Sequence, residues 1–137
     1  MSSWNDYIDM LLERSEGYCD KGCIFGFDNG GMWTSHLKHL QLTLAEAKGI
    51  IERWMDVDPK TMADYYALNG VTVAGDHYRL VRADYDVIHF SDKEKGKIVL
   101  QKTKKAIIAA HTPQGRNTET TFKAVASVAD YITNNGY

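Results

Sequence analysis

The residues of this chain best suited to metal binding or nucleophilic catalysis do not form a recognisable site. Cys19 and Cys23 are the only cysteines, and a structural zinc site normally needs four ligands, for which no second cysteine pair exists. His36 and His39 fall in a predicted loop and lack an evident third ligand. No Ser, His and Asp set can be argued from spacing. We therefore expect no catalytic site, no bound metal and no cofactor.

The glycine-rich segment 26–31 is the other feature that suggests ligand chemistry, because glycine-rich loops can cradle phosphates. It reads Gly26-Phe27-Asp28-Asn29-Gly30-Gly31 and lacks the Lys-Ser or Lys-Thr pair of a P-loop. Apolar segments flank it on both sides. We interpret it as a turn between two strands, at about 22–27 and 32–35.

Length and composition are those of an ordinary globular protein. The chain has 137 residues, a formal net charge of -2, 44% apolar residues and 25% charged residues. One domain over residues 1–137 is expected. The near-neutral charge argues against a nucleic-acid partner. The lack of a signal-peptide pattern, of a membrane-length apolar run and of a disulfide framework predicts a soluble cytoplasmic protein.

Three helices are predicted from apolar residues that recur every three or four positions. The first follows Ser3 as its cap and has one apolar face: Trp4, Tyr7, Ile8, Leu11 and Leu12. The second begins at a capping box formed by Thr43 and Glu46. The third follows a polar loop at 112–120 and stops at Asn134-Asn135-Gly136.

Short strands separated by tight turns occupy the region between the second and third helices. They are predicted at 65–68, 71–73, 77–83, 87–91, 97–102 and 106–110. Successive short strands of this kind indicate an antiparallel meander. The order helix, hairpin, helix, meander, helix predicts an α+β fold built on a central antiparallel sheet.

Five blocks of the sequence, in order along nearly the whole chain, resemble the profilin family. They are Trp4-Asn5-Asp6-Tyr7-Ile8-Asp9, Trp33 after the glycine-rich turn, Leu68-Asn69-Gly70-Val71 with Ala74-Gly75 and Arg82, Lys102-Thr103, and Ala129-Asp130-Tyr131-Ile132 with Gly136-Tyr137. The resemblance implies that the terminal helices pack together on one face of the sheet, with a further helix on the other. It also implies two binding surfaces, one for monomeric actin and one for proline-rich proteins.

The resemblance assigns the proline-rich site to five aromatic residues: Trp4, Tyr7, Trp33, Tyr131 and Tyr137. If the terminal helices lie side by side, these rings can converge into parallel grooves. Such grooves fit a polyproline II helix, whose free carbonyls accept hydrogen bonds from indole and phenol groups. The alternative for Trp4 and Tyr7 is a place in the core, because aromatic stripes on a helix face commonly pack inward.

The resemblance assigns the actin site to the meander and the start of the last helix: Leu68, His77, Arg82, His89, Lys97 and Lys123. His77 and His89 stand where many relatives carry Lys or Arg, which could weaken actin binding or tie it to pH. Six lysines between positions 93 and 105 could contact actin or phosphoinositide head groups. The alternative for these lysines is a solvated turn.

The function implied by the resemblance is regulation of actin polymerisation and of nucleotide exchange on actin, by a monomer in the cytoplasm and cytoskeleton. Two other functions stay open. One is a phosphoinositide- or proline-peptide-binding module on the same fold with weakened actin binding. The other is an enzyme that uses an Asp or a His in a surface cleft, which no residue pattern supports.

Overall fold

The fold is an antiparallel sheet with helices on both faces. The computed structural model describes residues 3–55 and 58–137. In chain order the elements are α1 (Asn5–Arg14), β1 (Lys21–Gly26), α2 (Leu44–Met55), α3 (Pro59–Asn69), β2 (Val71–Val73), β3 (Asp76–Ala83), β4 (Val87–Asp92), β5 (Gly96–Lys102), β6 (Ala106–Thr112) and α4 (Glu119–Asn134). The six strands lie in the order β1-β6-β5-β4-β3-β2, and all neighbouring pairs are antiparallel. The α+β class and the antiparallel meander are therefore confirmed.

Alternation along the strands divides the interior into two cores. In β6, Ile107 and Ala109 face the core beneath α2 and α3. The residues that alternate with them, Ala106, Ile108 and Ala110, face the core beneath α1 and α4. Because successive side chains of a strand point to opposite faces, a strand covered on both sides is apolar throughout. All seven residues of β6 are buried accordingly.

The two terminal helices share one face of the sheet, as the resemblance implied, and they contact each other. Small residues allow the close approach. A Cβ atom added at Gly22 of β1 would lie 2.8 Å from the Leu11 side chain of α1. Ala106 and Ala110 of β6 and Ala124 of α4 are likewise buried in this core.

The prediction of a strand at 65–68 is wrong, because these residues belong to helix α3. Asp58 caps the helix by accepting a hydrogen bond from the Lys60 N–H at 3.0 Å, and Pro59 occupies its first turn. Proline is well suited to that position, since its missing N–H has no partner there in any case. Gly70 ends the helix with a φ of 63°. Two helices, rather than the one expected, therefore cover that face.

Two other local predictions had different outcomes. The segment 32–35 is not a strand, since it contributes only an isolated bridge between Met32 and Phe25. The capping box of α2 is confirmed: the Thr43 N–H donates to Glu46 Oε1 at 2.8 Å, and the Glu46 N–H donates to Thr43 Oγ1 at 3.1 Å. Within the described residues, no helix has the length and apolar character needed to cross a bilayer.

A buried histidine joins three segments beside the sheet. His111 Nδ1 lies 2.6 Å from Asp20 Oδ1, and its Nε2 lies 2.6 Å from the Lys95 carbonyl oxygen. Both partners are hydrogen-bond acceptors, and the two contacts join β6 to the residue before β1 and to the β4–β5 turn. Burial opposes the charge of Asp20, but the hydrogen bond and charge of His111, helped by Lys21, outweigh it and lower the pKa of the carboxyl.

This contact predicts a pH-dependent contribution to stability. We expect Asp20→Asn to lower the free energy of unfolding by about 1 kcal/mol near neutral pH, a value reduced for the partial exposure of the carboxyl. Because the folded pKa lies below the unfolded one, the stabilisation is present above the unfolded pKa of about 3.9 and is lost as the pH falls through the folded pKa. Urea unfolding at about pH 7 and about pH 2 measures the difference.

The matched control is Asp64→Asn, which removes an exposed ion pair with Lys60. This change should leave the free energy of unfolding nearly unchanged at both pH values, because exposed ion pairs are weak. If Asp20→Asn lowered the free energy of unfolding by the same amount at both pH values, the ionised carboxyl of Asp20 would not be the source of the stabilisation.

Candidate functional site

Five aromatic side chains from distant parts of the chain converge on one surface, which we call the aromatic groove: Trp4, Tyr7, Trp33, Tyr131 and Tyr137. Trp4 lies at its centre, with ring centroids 4.6 Å from Trp33, 4.9 Å from Tyr137 and 5.0 Å from Tyr7. Tyr131 extends the series through Tyr7 at 5.9 Å. The structure thus brings together every residue that the sequence assigned to the proline-rich site.

The rings differ in exposure. Tyr131 and Tyr137 are each 39% exposed, whereas Tyr7 is only 8% exposed and belongs to the core beneath α1 and α4. Trp4 and Trp33 are half-buried and pack against that core. Burial, followed by the neighbouring Tyr131, Tyr137 and Asp6, raises the pKa of Tyr7. The core alternative thus describes Tyr7 well, and the other four rings supply most of the accessible surface.

Contacts from α1 to the segment after β1 set Trp4 against Trp33. Asn5 Oδ1 accepts a hydrogen bond from the Ser35 N–H at 2.8 Å. One turn further along α1, Asp9 Oδ1 lies 2.5 Å from His36 Nε2. Trp4 directly precedes Asn5, and Trp33 lies two residues before Ser35, so these bonds restrain the separation of the two indoles.

The end of α4 is bonded to the β5–β6 turn, which fixes Tyr137. Gly136 has a φ of 96°, and the Tyr137 N–H then donates back to the Ile132 carbonyl at 3.0 Å. The main-chain oxygen of Tyr137 accepts from Thr103 Oγ1 at 2.9 Å and from the Lys105 N–H at 2.5 Å. Glycine suits this position because a positive φ is strained for other residues.

The residues assigned to actin surround two adjoining depressions, which we call the meander face. One has a volume of about 560 Å³ and is lined in part by Leu68, His77 and Lys97. The other has a volume of about 630 Å³ and is lined in part by Arg82, His89 and Lys97. Lys123 lines neither, but its Nζ is paired at 3.2 Å with Glu119, which lines the second.

The charges on the meander face are partly paired. Arg82 Nε lies 2.9 Å from Asp84 Oδ2, and Lys97 Nζ donates to the Arg116 carbonyl at 2.5 Å. Burial, then the charge of Arg82, lowers the pKa of His89, with Asp84 opposing. His89 is therefore neutral at neutral pH and does not replace the positive charge of a Lys or Arg.

Sequence reasoning missed two apolar residues of this face. Val81 is 65% exposed on the same face of β3 as His77 and Arg79, and the register shift between Leu80 and Arg82 leaves Arg82 exposed as well. Phe122 lies at the start of α4, and its ring centroid is 4.9 Å from that of His89. An apolar residue at the start of that helix was the available signal for Phe122. For Val81 the available signal was strand alternation, because it places residues 77, 79 and 81 on one face.

The sequence candidates for metal or thiol chemistry have structural roles. His36 Nε2 bonds to Asp9, and its Nδ1 accepts from the Lys38 N–H at 2.9 Å. In the part of the chain that is described, no group of three or more His, Cys, Asp or Glu is arranged to hold a metal. Both cysteines are buried and free, and burial raises the pKa of Cys19 to about 12. A thiolate is therefore scarce at neutral pH.

Comparison with known proteins identifies the family. The profilin family model matches residues 2–137. Profilin from Heliocidaris crassispina is 31% identical over 138 residues, covering 95% of this chain and 96% of that protein. The solved profilin of Schizosaccharomyces pombe superimposes with a TM-score of 0.81 at 25% identity, covering 98% of this chain and 100% of the other. The chain therefore belongs to the profilin family.

Proposed function

We propose that this chain binds monomeric actin through the meander face and proline-rich segments through the aromatic groove, and so regulates actin polymerisation and nucleotide exchange. Profilins are actin-binding regulators and not enzymes. The observation that carries the proposal is the convergence of rings as distant in sequence as Trp4 and Tyr137, whose centroids are 4.9 Å apart. Packing of the core does not explain these rings, because Tyr131, Tyr137, Trp4 and Trp33 all keep part of their surface exposed to solvent.

Two solved profilins of the same fold support this pairing of functions. Mouse profilin IIa, at 17% identity and a TM-score of 0.73, is solved in complex with a double repeat from the FH1 domain of mDia1. LokiProfilin2, at 15% identity and a TM-score of 0.75, is solved with rabbit actin. At these sequence identities the structural similarity shows a shared fold only. The argument that this chain binds the same partners therefore rests on its own side chains.

The chemistry of the aromatic groove suits a polyproline II ligand. Its rings meet at angles of 36° to 85°, which leaves ridges and clefts rather than one flat stack. No described residue accepts a hydrogen bond from the indole N–H of Trp4 or Trp33, so these donors can serve ligand carbonyls. A polyproline II helix has no internal hydrogen bonds and is already extended, so binding it costs little ordering entropy.

Removing the central ring tests the groove. We expect Trp4→Ala to weaken binding of a decaproline peptide at least about tenfold, because buried aromatic anchors contribute about 2 kcal/mol or more at such sites. Isothermal titration calorimetry measures the affinity without relying on tryptophan fluorescence. Tyr85→Ala removes a ring that is 58% exposed in the β3–β4 turn and serves as the control. Equal peptide affinity for Trp4→Ala and the parent would reject the groove.

The meander face combines apolar and cationic groups at its two depressions. Leu68 is 85% exposed and Val81 is 65% exposed, while Arg82 and Lys97 contribute positive charge. An interface with an apolar centre and charged groups at its rim is typical of specific protein association. An acidic patch on the partner would compete with Asp84 for Arg82, because exposed ion pairs are weak.

Reversing one charge tests the actin surface. We expect Arg82→Glu to weaken binding of monomeric actin by about tenfold or more, since like charges at an interface are repulsive, and to leave decaproline affinity unchanged. Lys48→Glu makes the same charge change on α2 and is the control. Affinity for fluorescently labelled monomeric actin is the measurement. An Arg82→Glu protein that binds actin as tightly as the parent would remove Arg82 from the proposed surface.

Phosphoinositide binding is a second candidate for the meander face. The 560 Å³ depression is lined by Arg79, Lys93 and Lys97, together with His77. Clustered cations gain about 1 kcal/mol each near an anionic membrane surface. Sedimentation with phosphoinositide-containing vesicles, for the parent and for Lys93→Glu, tests this second role separately from actin binding.

A further inference from the structure

The surface that carries the aromatic groove continues past two of its rings. Trp33 and Tyr137 also line a depression of about 380 Å³, whose other lining residues are Phe27, Asp28, Lys104 and Lys105. The remaining groove residues, Trp4, Tyr7 and Tyr131, do not line it. This depression, which we call the lysine subsite, therefore adjoins the groove at Trp33 and Tyr137 and is open to a segment that crosses these rings in the direction away from Tyr131.

The lysine subsite has apolar walls and a positive rim. Lys105 Nζ lies 5.8 Å from the centroid of the Tyr137 ring. Lys102 is not a lining residue, but its Nζ lies 4.8 Å from the centroid of the lining Phe27 ring and donates to the Thr103 carbonyl at 3.4 Å. Among the described residues, no carboxylate forms an ion pair with Lys102, Lys104 or Lys105. Asp28 is the one acidic lining residue, and its Oδ1 accepts from the Asn29 N–H at 2.8 Å.

The backbone that carries these lysines is fixed to the aromatic groove. The Lys105 N–H donates to the Tyr137 main-chain oxygen, and the Lys105 carbonyl accepts from the Phe27 N–H at 2.9 Å. Thr103 Oγ1 also donates to the Tyr137 oxygen. The turn between β5 and β6 is thus bonded on both sides, so the ammonium groups stay within a side chain's reach of Trp33 and Tyr137.

We propose that the lysine subsite binds the carboxylate of an Asp or Glu that directly flanks a proline-rich segment, so that this chain prefers proline-rich partners with acidic residues at one end. The inference rests on the proposed proline-rich site. Charge complementarity selects the acidic residue, because unpaired ammonium groups beside aromatic walls attract a carboxylate more strongly than ammonium groups in open water do. A polyproline II helix advances about 3.1 Å per residue, so a residue one or two positions beyond the last stacked proline reaches the rim.

Five peptides test the inference by calorimetry: decaproline, decaproline preceded or followed by Glu-Glu, and the two matched Gln-Gln peptides. We expect one acidic peptide to bind about three- to tenfold more tightly than its Gln counterpart, since two exposed ion pairs contribute modestly. The preference should disappear in a Lys104→Glu/Lys105→Glu protein. It should also shrink at high salt, because exposed charges are screened.

A Lys48→Glu/Lys60→Glu protein carries the same change in net charge at two exposed sites on α2 and α3, away from the subsite, and it should retain the preference. Equal binding of the Glu and Gln peptides, alongside tight decaproline binding, would overturn the inference and leave the proposed function intact. Loss of the preference in both double variants would also overturn it, because the effect would then come from net charge. Failure of every peptide to bind would overturn the proposed proline-rich function, and the inference with it.

Discussion

The close packing of α1 and α4 over β1 and β6 is the constraint on which the rest of the structure depends. It requires small residues between helices and sheet, and the 2.8 Å between a Cβ added at Gly22 and the Leu11 side chain leaves no room for a larger one. Ile8, Leu11 and Val128 are fully buried there, each contributing about 1.5–3 kcal/mol by its burial. That packing brings the first turn of α1 and the last turn of α4 to one edge of the molecule.

The aromatic groove therefore forms as a consequence of core packing and is not structurally independent of the core. Tyr7 is at once a core residue and the link between Trp4 and Tyr131, so the groove and the core share a side chain. The bonds from Thr103 and Lys105 to Tyr137 add polar restraint where the helix has ended. A rigid set of rings suits a rigid ligand, because neither partner loses much conformational entropy on binding.

Helix α4 contributes to both proposed surfaces. Phe122 lies at its start beside the meander face, and Tyr131 lies at its end in the aromatic groove. Nine residues of helix separate them by roughly 13 Å along the axis. The two surfaces are therefore held by one rigid element without sharing side chains, so a substitution such as Arg82→Glu can change one and leave the other intact.

The sequence by itself determined the elements whose signals are local. The Thr43 and Glu46 capping box, the turns of the meander and the apolar period of the terminal helices each depend on residues within a few positions of one another. The error at 65–68 had the same origin: Tyr65, Tyr66 and Leu68 have the composition of a strand, while the signal for a helix, Asp58-Pro59, lies a full turn and more before them. Resemblance to a family supplied the set of groove residues, which no local pattern could have assembled.

Only the tertiary structure decided how each of those residues is used. Tyr7 is buried and Tyr131 is exposed, although both are tyrosines on helices, because α1 turns Tyr7 toward the core while Tyr131 contacts Tyr7 from the rim of the α1–α4 interface. The position of Lys105 beside Tyr137 depends on a hydrogen bond between residues 32 positions apart. The degree of exposure of each ring and contacts between distant residues are set by how whole elements pack, and local spacing alone does not determine them.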